Sequence, residues 1–202
     1  MPITKALARI HAHVCADGWL CCYIEKNALQ IVRGRRYHRD RKKYEIGYCN
    51  TDESLLEQFK KDMRKTFDIN TRRNKFELRT RSKRVFEILS ILGAGNSRNW
   101  FVGHEIIDAG KIIKRNWIRA FFDDEATVDT RFKRIRVKSV NFNGLKQVKD
   151  LLDCLSIKSH ITGENIDNTW YLSINGPDVS LYHKKVGFFH KKRAVKLAEL
   201  VA

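Results

Sequence analysis

Two stretches of the sequence decide the fold: ARIHAHVCADGWL at residues 8–20 and NWIRAFFDDEATV at residues 116–128. Each is an apolar run with helical spacing that ends in an acidic residue, Asp17 in the first and Glu125 in the second. A run typical of a strand follows each acid at once. A unit that occurs twice in one chain predicts two halves with a common plan.

The first of these runs carries a stripe of small residues, because Ala8, Ala12 and Ala16 recur every four positions. Such a stripe lets the backbone of another helix approach closely. In the second run the matching positions hold Asn116, Ala120 and Asp124. If the two helices pack together in parallel, both terminal acids arrive side by side at one end of the pair.

The elements after the two runs also repeat. Residues 51–69 and 143–157 each predict an amphipathic helix, and the alternating stretches 74–80 and 168–176 predict strands. Further helices are predicted at 82–93, 176–187 and 190–201. We therefore expect an α+β protein of two pseudo-symmetric αββαββα half-domains with antiparallel sheets. Residues 1–93 and 105–202 are the expected half-domains, and residues 94–104 the linker.

The composition indicates a polyanionic partner. The chain has 202 residues, with 40 Lys and Arg against 23 Asp and Glu, for a formal charge of +17. Self-repulsion on that scale disfavours compaction unless a polyanion binds. No apolar run is long enough to cross a bilayer. The five cysteines are an odd number without metal-ligand spacing, which favours reduced thiols in the cytosol and does not predict a zinc site.

The basic residues concentrate in segments that predict strands. Residues 33–43 hold seven Lys or Arg among eleven and lie between two strand-like runs, which predicts an extended β-hairpin. In residues 131–139 and 74–81 basic side chains alternate with apolar ones, so each strand has a core face and a basic face. The residues that we expect to contact nucleic acid are Arg33, Arg35, Arg36, Arg39, Arg41, Lys43, Lys75, Arg79, Arg81, Arg134, Arg136 and Lys138.

The nine-residue segments IHAHVCADG (10–18) and IRAFFDDEA (118–126) resemble the two motif copies of a single-chain LAGLIDADG homing endonuclease. The resemblance covers essentially the whole chain, because the remaining elements follow the order of that family. It implies a saddle of antiparallel sheets over double-stranded DNA and a monomer with internal pseudo-two-fold symmetry. The implied activity is a Mg²⁺-dependent double-strand cut in a long asymmetric site, by an intron-encoded enzyme.

The resemblance also implies a set of site residues. Asp17 and Glu125 would hold Mg²⁺ or Mn²⁺, while Ca²⁺ would bind without supporting cleavage. A polar residue at the end of the strand before the second helix of each half would join the network of metal-bound water. The implied site residues are Asp17, Glu125, the backbone carbonyls of Ala16 and Asp124, and the strand-end residues Asn50 and Ser139. No residue matches the active-site lysine of the family.

Three motif positions depart from the family pattern. Cys15 stands at position six of the first copy, and His13 stands where an apolar residue is commoner. Ala126 replaces the final glycine of the second copy. If the backbone turn there requires a positive φ, alanine would be unfavourable.

An alternative function remains open at this stage. A maturase that binds intron RNA, or a nucleic-acid-binding protein that has lost catalysis, would carry the same charge. Two converging acids near phosphates favour the enzyme, since a pure binder gains little from them. The expected location is cytoplasmic and nucleoid-associated, or organellar in a eukaryotic host.

Overall fold

The computed structural model describes residues 2–202. Its first half contains four strands and three helices. Their bounds are α1 Lys5–Cys15, β1 Gly18–Val32, β2 Arg35–Cys49, α2 Glu53–Phe67, β3 Arg72–Asn74, β4 Glu77–Arg81 and α3 Lys83–Ile91.

The second half repeats this order, with one short helix before it and one helix after it. The bounds are α4 His104–Ile107, α5 Lys111–Glu125, β5 Ala126–Asp129, β6 Arg134–Ser139, α6 Phe142–Cys154, β7 His160–Thr162, β8 Trp170–Asn175, α7 Pro177–Lys185 and α8 Lys191–Val201. Within residues 2–202, no helix is both long and apolar enough to cross a membrane.

Each half forms one four-stranded antiparallel sheet with the same topology. The strand orders are β1-β2-β4-β3 and β5-β6-β8-β7. The predicted α+β class and the αββαββα plan are therefore confirmed. The first sheet lies within residues 18–81 and the second within 126–175. We keep 1–93 and 105–202 as the proposed half-domains, joined by 94–104.

The helices begin where the sequence supplies capping side chains. Thr4 accepts a hydrogen bond from the amide of Leu7 at the start of α1, and Asp52 does the same for Ser54 at the start of α2. α7 has no side-chain cap but begins at Pro177, whose fixed φ suits the first helical position.

The two long motif helices, α1 and α5, pack against each other in parallel. Arg9 Nη1 donates to Asn116 Oδ1 at 2.7 Å, and Trp117 Nε1 donates to His11 Nδ1 at 2.9 Å. His13 Nδ1 then lies 2.7 Å from a carboxylate oxygen of Asp124. The partner numbers rise together along both helices, so the chains run in the same direction. The alanines at the contact, Ala8, Ala12 and Ala120, are almost completely buried.

The segment 74–80, predicted as one strand, contains a hairpin turn. β3 ends at Asn74 and β4 begins at Glu77, so Lys75 and Phe76 form the turn between them. Lys75 has a φ of 50°, a left-handed conformation that is uncommon for lysine and that the sequence does not predict. Phe76 is consequently 42% exposed instead of facing the core. The short helix α4 was also not predicted.

The basic segment 33–43 forms part of a long hairpin, but only two of its residues turn. Arg33 and Gly34 have φ values of 50° and 76°, as a tight two-residue hairpin turn requires. The other residues continue β2, which pairs with β1 from Gly18 opposite Tyr48 to Val32 opposite Arg35.

Candidate active site

The parallel packing of the motif helices brings the two predicted acids together. Asp17 lies directly before β1 and is exposed, and Glu125 is the last residue of α5 and is partly buried. Although the residue is exposed, partial desolvation of its carboxyl group raises the pKa of Asp17 to about 6, with a contribution from the charge of Asp124. Burial raises the pKa of Glu125 to about 7, and the charge of Asp17 adds to this shift. The two carboxylates are therefore close enough to repel each other.

Asn50 connects Asp17 to the second motif. Its Nδ2 donates to Asp17 Oδ2 at 3.2 Å and to Asp124 Oδ1 at 3.0 Å. The same Asp124 oxygen accepts a bond from the Tyr48 hydroxyl at 2.7 Å, and its other oxygen faces His13. Burial disfavours a charged His13, but the adjacent Asp124 carboxylate outweighs burial and raises the pKa of His13. A buried ion pair thus spans the helix interface beside the predicted site.

Sequence reasoning missed the role of the Asp124 side chain, for which it assigned only the backbone carbonyl. The available signal was an acid on the stripe of Asn116, Ala120 and Asp124, which the sequence already placed at the helix contact, because a buried carboxylate requires partners. Asp124 is 7% exposed, and Asn50, Tyr48 and His13 supply those partners.

The end of α5 is held by Arg193 of α8, a residue that the sequence did not single out. Arg193 Nε donates to the Ala126 carbonyl at 2.6 Å and Nη2 to the Asp124 carbonyl at 2.9 Å, while Nη1 contacts the Asp123 carbonyl. The carboxylate of Asp123 in turn accepts bonds from the amides of Phe189 and His190. The last helix therefore fixes the backbone on both sides of Glu125.

The missing glycine of the second motif imposes no strain. Ala126 has φ −81° and ψ 144°, an extended conformation that any residue can adopt. The backbone at this position therefore does not require a positive φ. In the first motif Gly18 is needed for a different reason. A Cβ at Gly18 would lie 2.6 Å from Val14 Cα and 2.7 Å from the Gly47 carbonyl oxygen, so close packing excludes a side chain there.

The other predicted site residues make no side-chain hydrogen bond to Asp17 or Glu125 within the described residues. Ser139 ends β6, and its hydroxyl accepts a bond from the amide of Asn141, a normal start for α6. The carbonyl of Asp124 already accepts a bond from Arg193, so only its second lone pair remains for a cation.

The donor set fits a hard divalent cation completed by a substrate. Within residues 2–202 no group of three or more His, Cys, Asp or Glu side chains is arranged as a metal site. Two oxygen ligands from Asp17 and Glu125 remain, and Mg²⁺ is commonly held by one or two carboxylates together with substrate phosphates and water. A cation between them would also offset the charge of Asp17, which adds to the burial that raises the pKa of Glu125.

One face of each sheet, here called the groove face, points away from the buried core. In the first sheet Ile46, Tyr48 and Leu78 point into the core, so their strand neighbours point the other way. Arg36 lies on the core side of the hairpin opposite Ile31, Arg33 lies in the turn, and Lys75 lies in the β3–β4 turn. The predicted basic residues that share the groove faces are Arg35, Arg39, Arg41, Lys43, Arg79, Arg81, Arg134, Arg136 and Lys138.

Comparison with known proteins identifies the fold. The family model of the LAGLIDADG-like domain matches residues 113–187, which include most of α5 and the second sheet. The structure of I-DmoI in complex with DNA and Mn covers 90% of this chain and 96% of its own, with a TM-score of 0.65 and 18% identity. The chain has the two-domain LAGLIDADG fold. The resemblance predicted from the sequence is confirmed.

Two further structures share the LAGLIDADG fold. The I-LtrWI LAGLIDADG homing endonuclease bound to target DNA has a TM-score of 0.58 at 10% identity, covering 97% of this chain and 89% of its own. Full-length DUF199/WhiA from Thermatoga maritima has a TM-score of 0.52 at 11% identity, covering 98% of this chain and 62% of its own. No curated protein matches the chain in sequence.

Proposed function

We propose that the protein is a site-specific endonuclease that cuts both strands of double-stranded DNA with Mg²⁺. The observation that carries the proposal is the approach of Asp17 and Glu125, which are separated by more than half of the chain and meet where two parallel helices end. The similar fold of I-DmoI, a homing endonuclease whose structure includes DNA and Mn, supports it.

In this proposal the two acids bind the cation, and the neighbouring polar residues position the acids. Asp17 and Glu125 supply carboxylate oxygens to the cation, with the carbonyls of Ala16 and Asp124 as additional ligands. Asn50 holds the Asp17 carboxylate in place through its amide, and Ser139 is the proposed counterpart in the second half. A bound Mg²⁺ or Mn²⁺ would supply an activated water and stabilise the leaving oxygen, whereas Ca²⁺ would bind without cleavage.

The groove faces are the proposed DNA-binding surface. Antiparallel β-ribbons fit the major groove, where side chains can read base edges. Because the two halves differ in sequence throughout, a site that both halves read is expected to be asymmetric. A single chain supplies both motifs, so the proposed enzyme acts as a monomer. An intron origin and association with the nucleoid belong to the proposal. A reading frame placed inside an intron would support the first, and the second follows from the proposed DNA binding.

The test is selection of cleaved duplexes from a library with a randomised central stretch, in buffer containing Mg²⁺. Wild type should yield double-strand cuts, while Asp17→Asn and Glu125→Gln should each abolish cutting and retain DNA binding. Binding without cleavage under every divalent cation tried, or preference for RNA over duplex DNA in competition, would contradict the proposed enzyme. Normal cutting by both variants would show that the site residues are misassigned.

A further inference from the structure

The two sheets differ greatly in length. β1 and β2 have 15 residues each and remain paired as far as Val32 opposite Arg35. β5 and β6 have 4 and 6 residues, with the last pair formed by Asp129 and Arg134. At about 3.3 Å per residue, the first hairpin extends about 50 Å and the second about 20 Å or less.

Both predicted acids lie at the base of these hairpins. Asp17 immediately precedes β1, and Glu125 immediately precedes β5. The tip of the first hairpin, at Arg33 and Gly34, is therefore far from the acids, whereas the tip of the second is near them. With one base pair per about 3.4 Å of duplex, the first ribbon could follow about 15 base pairs and the second about six.

The groove faces also differ in charge. In the first sheet the strand register places seven cations and three acids on this face. The cations are Arg35, Arg39, Arg41, Lys43, Arg72, Arg79 and Arg81, and the acids are Glu25, Glu45 and Glu77. The second sheet places three cations there, Arg134, Arg136 and Lys138, and one acid, Asp129.

The cations of the second sheet are engaged within the protein. Arg134 pairs with Asp129 at 3.2 Å, Lys138 pairs with Asp167, and the Arg136 guanidinium lies 4.1 Å from the centre of the Tyr171 ring. Near the tip of the first hairpin the situation is opposite. Across the described residues, 2–202, no carboxylate lies within ion-pair distance of the three outer arginines, Arg35, Arg39 and Arg41.

We propose that the N-terminal sheet holds most of the DNA, so that the cuts fall near one end of the covered duplex, on the side of the C-terminal sheet. This inference rests on the proposed nuclease function and specifies the geometry of its substrate. The long hairpin supplies unpaired cations and reaches far along the duplex. The short sheet supplies the second acid and adds little affinity for DNA. The unequal halves thus bind a duplex whose two arms contribute unequal affinity.

The first experiment compares two matched triple variants for binding to a random-sequence duplex at several salt concentrations. One is Arg35→Gln, Arg39→Gln, Arg41→Gln, and the other is Arg134→Gln, Arg136→Gln, Lys138→Gln. Each lost phosphate contact lowers the slope of log K against log salt by about 0.9. We expect the hairpin variant to lower it by about 2–3 and the C-terminal variant by about 1 or less. Equal losses, or a larger loss for the C-terminal variant, would overturn the inference.

The second experiment locates the cuts within the protected DNA. A duplex recovered from the cleavage selection is footprinted with hydroxyl radicals in Ca²⁺, and the cuts are then mapped in Mg²⁺. We expect protection to extend at least about twice as far on one side of the cuts as on the other, because the ribbons differ more than twofold in reach. Protection centred on the cuts would overturn this inference and leave the nuclease function standing. A chain that neither binds nor cuts any duplex would overturn both.

Both triple variants change strand residues of the groove faces, so folding must be checked alongside. Thermal melting of the two variants should stay close to that of wild type, since outward-facing substitutions usually change stability by less than about 0.5 kcal/mol. Arg136→Gln is the substitution most able to affect folding, because it removes a contact between Arg136 and Tyr171 within the protein. A C-terminal variant that melts normally and lowers the salt slope by about 1 or less supports the proposal.

Discussion

At the scale of single residues, the most informative position is Asp124. Its carboxylate receives the amide of Asn50, and that amide also holds Asp17. Within residues 2–202, no side chain donates a comparable hydrogen bond to Glu125. The support for the two acids is therefore unequal, although the helices that carry them are related by pseudo-symmetry.

We predict that Asp124→Ala slows one strand cut more than the other. Under the proposed function each acid serves the cut in one strand, so a poorly held Asp17 should delay one cut, by about 10–100-fold as for other residues that support metal ligands. Nicked plasmid should accumulate before the linear product. Asp124→Asn keeps an oxygen for Asn50 and should show less of this bias. Asp123→Ala removes another buried acid of α5 that does not contact Asn50, and equal slowing of both strands by all three variants would contradict the prediction.

Glu125 gives a second prediction at this scale, on stability against pH. Its pKa is raised from 4.5 to about 7 by burial and by the charge of Asp17. The folded protein thus binds this proton more tightly than the unfolded chain, and stability is lost as pH rises from about 4.5 to 7. Glu125→Gln mimics the protonated form and should melt higher than wild type at pH 8 but not at pH 4. The gain should be at most about 3 kcal/mol, or several degrees for a chain of this size.

Differential scanning calorimetry with and without Mg²⁺ checks this prediction. The cation should raise the melting temperature of wild type at pH 8 and have little effect on Glu125→Gln, because a carboxylate ligand is lost. Glu199→Gln changes an exposed acid of α8 and serves as the control. A wild type that is more stable than Glu125→Gln at pH 8 without metal would show that the proposed repulsion is absent.

At the scale of elements, α8 stabilises the end of α5, where the second motif lies. Three carbonyls at the end of α5 converge on Arg193, and the Asp123 carboxylate caps the amides of Phe189 and His190. The end of α5 would otherwise expose carbonyls with no helical partner, which is unfavourable in a partly buried position.

We predict that Arg193→Met destabilises the protein by about 1.5–3 kcal/mol, the usual contribution of a hydrogen bond to a charged group. Arg193→Lys should recover part of this loss, because it keeps the charge but cannot reach three carbonyls with fixed geometry. Lys192→Met, one residue earlier and exposed, is the matched control. Urea unfolding followed by circular dichroism measures the stability of all three variants. Similar unfolding midpoints for Arg193→Met and Lys192→Met would show that Arg193 does not stabilise the end of α5.

Elements could be predicted from sequence where the information is local. The doubled motif and the helical stripes after it fix α1, α2, α5 and α6, because apolar spacing determines which face is buried. The turn at Lys75 could not be predicted, since a positive φ at lysine leaves no trace in residue type. Arg193 could not be predicted either, because its role depends on a tertiary contact with residues far away in the chain. The Asn50 position was predicted from the resemblance, and its second partner, Asp124, was not.

At the scale of the whole molecule, the two halves share one interior. A single cluster of buried apolar residues extends from Leu7 in α1 to Leu197 in α8 and includes the cores of both sheets. The α1–α5 contact is its centre, with Ala12 fully buried and three hydrogen-bonded pairs across the helices. A break between the halves would expose this interface and leave the buried pair of His13 and Asp124 separated.

We therefore predict one cooperative unfolding transition for the whole chain. Hydrogen exchange of β4 amides in the first half and of β8 amides in the second should give the same free energy of opening, equal to that from urea unfolding. Ala12→Leu overpacks the contact and should lower both values together by about 1–3 kcal/mol. Ala198→Leu, at an exposed position of α8, should change neither by more than about 0.5 kcal/mol. If β8 kept its protection while β4 lost it in Ala12→Leu, the halves would be independent units, and the two acids would owe their proximity to the linker rather than to the helix pair.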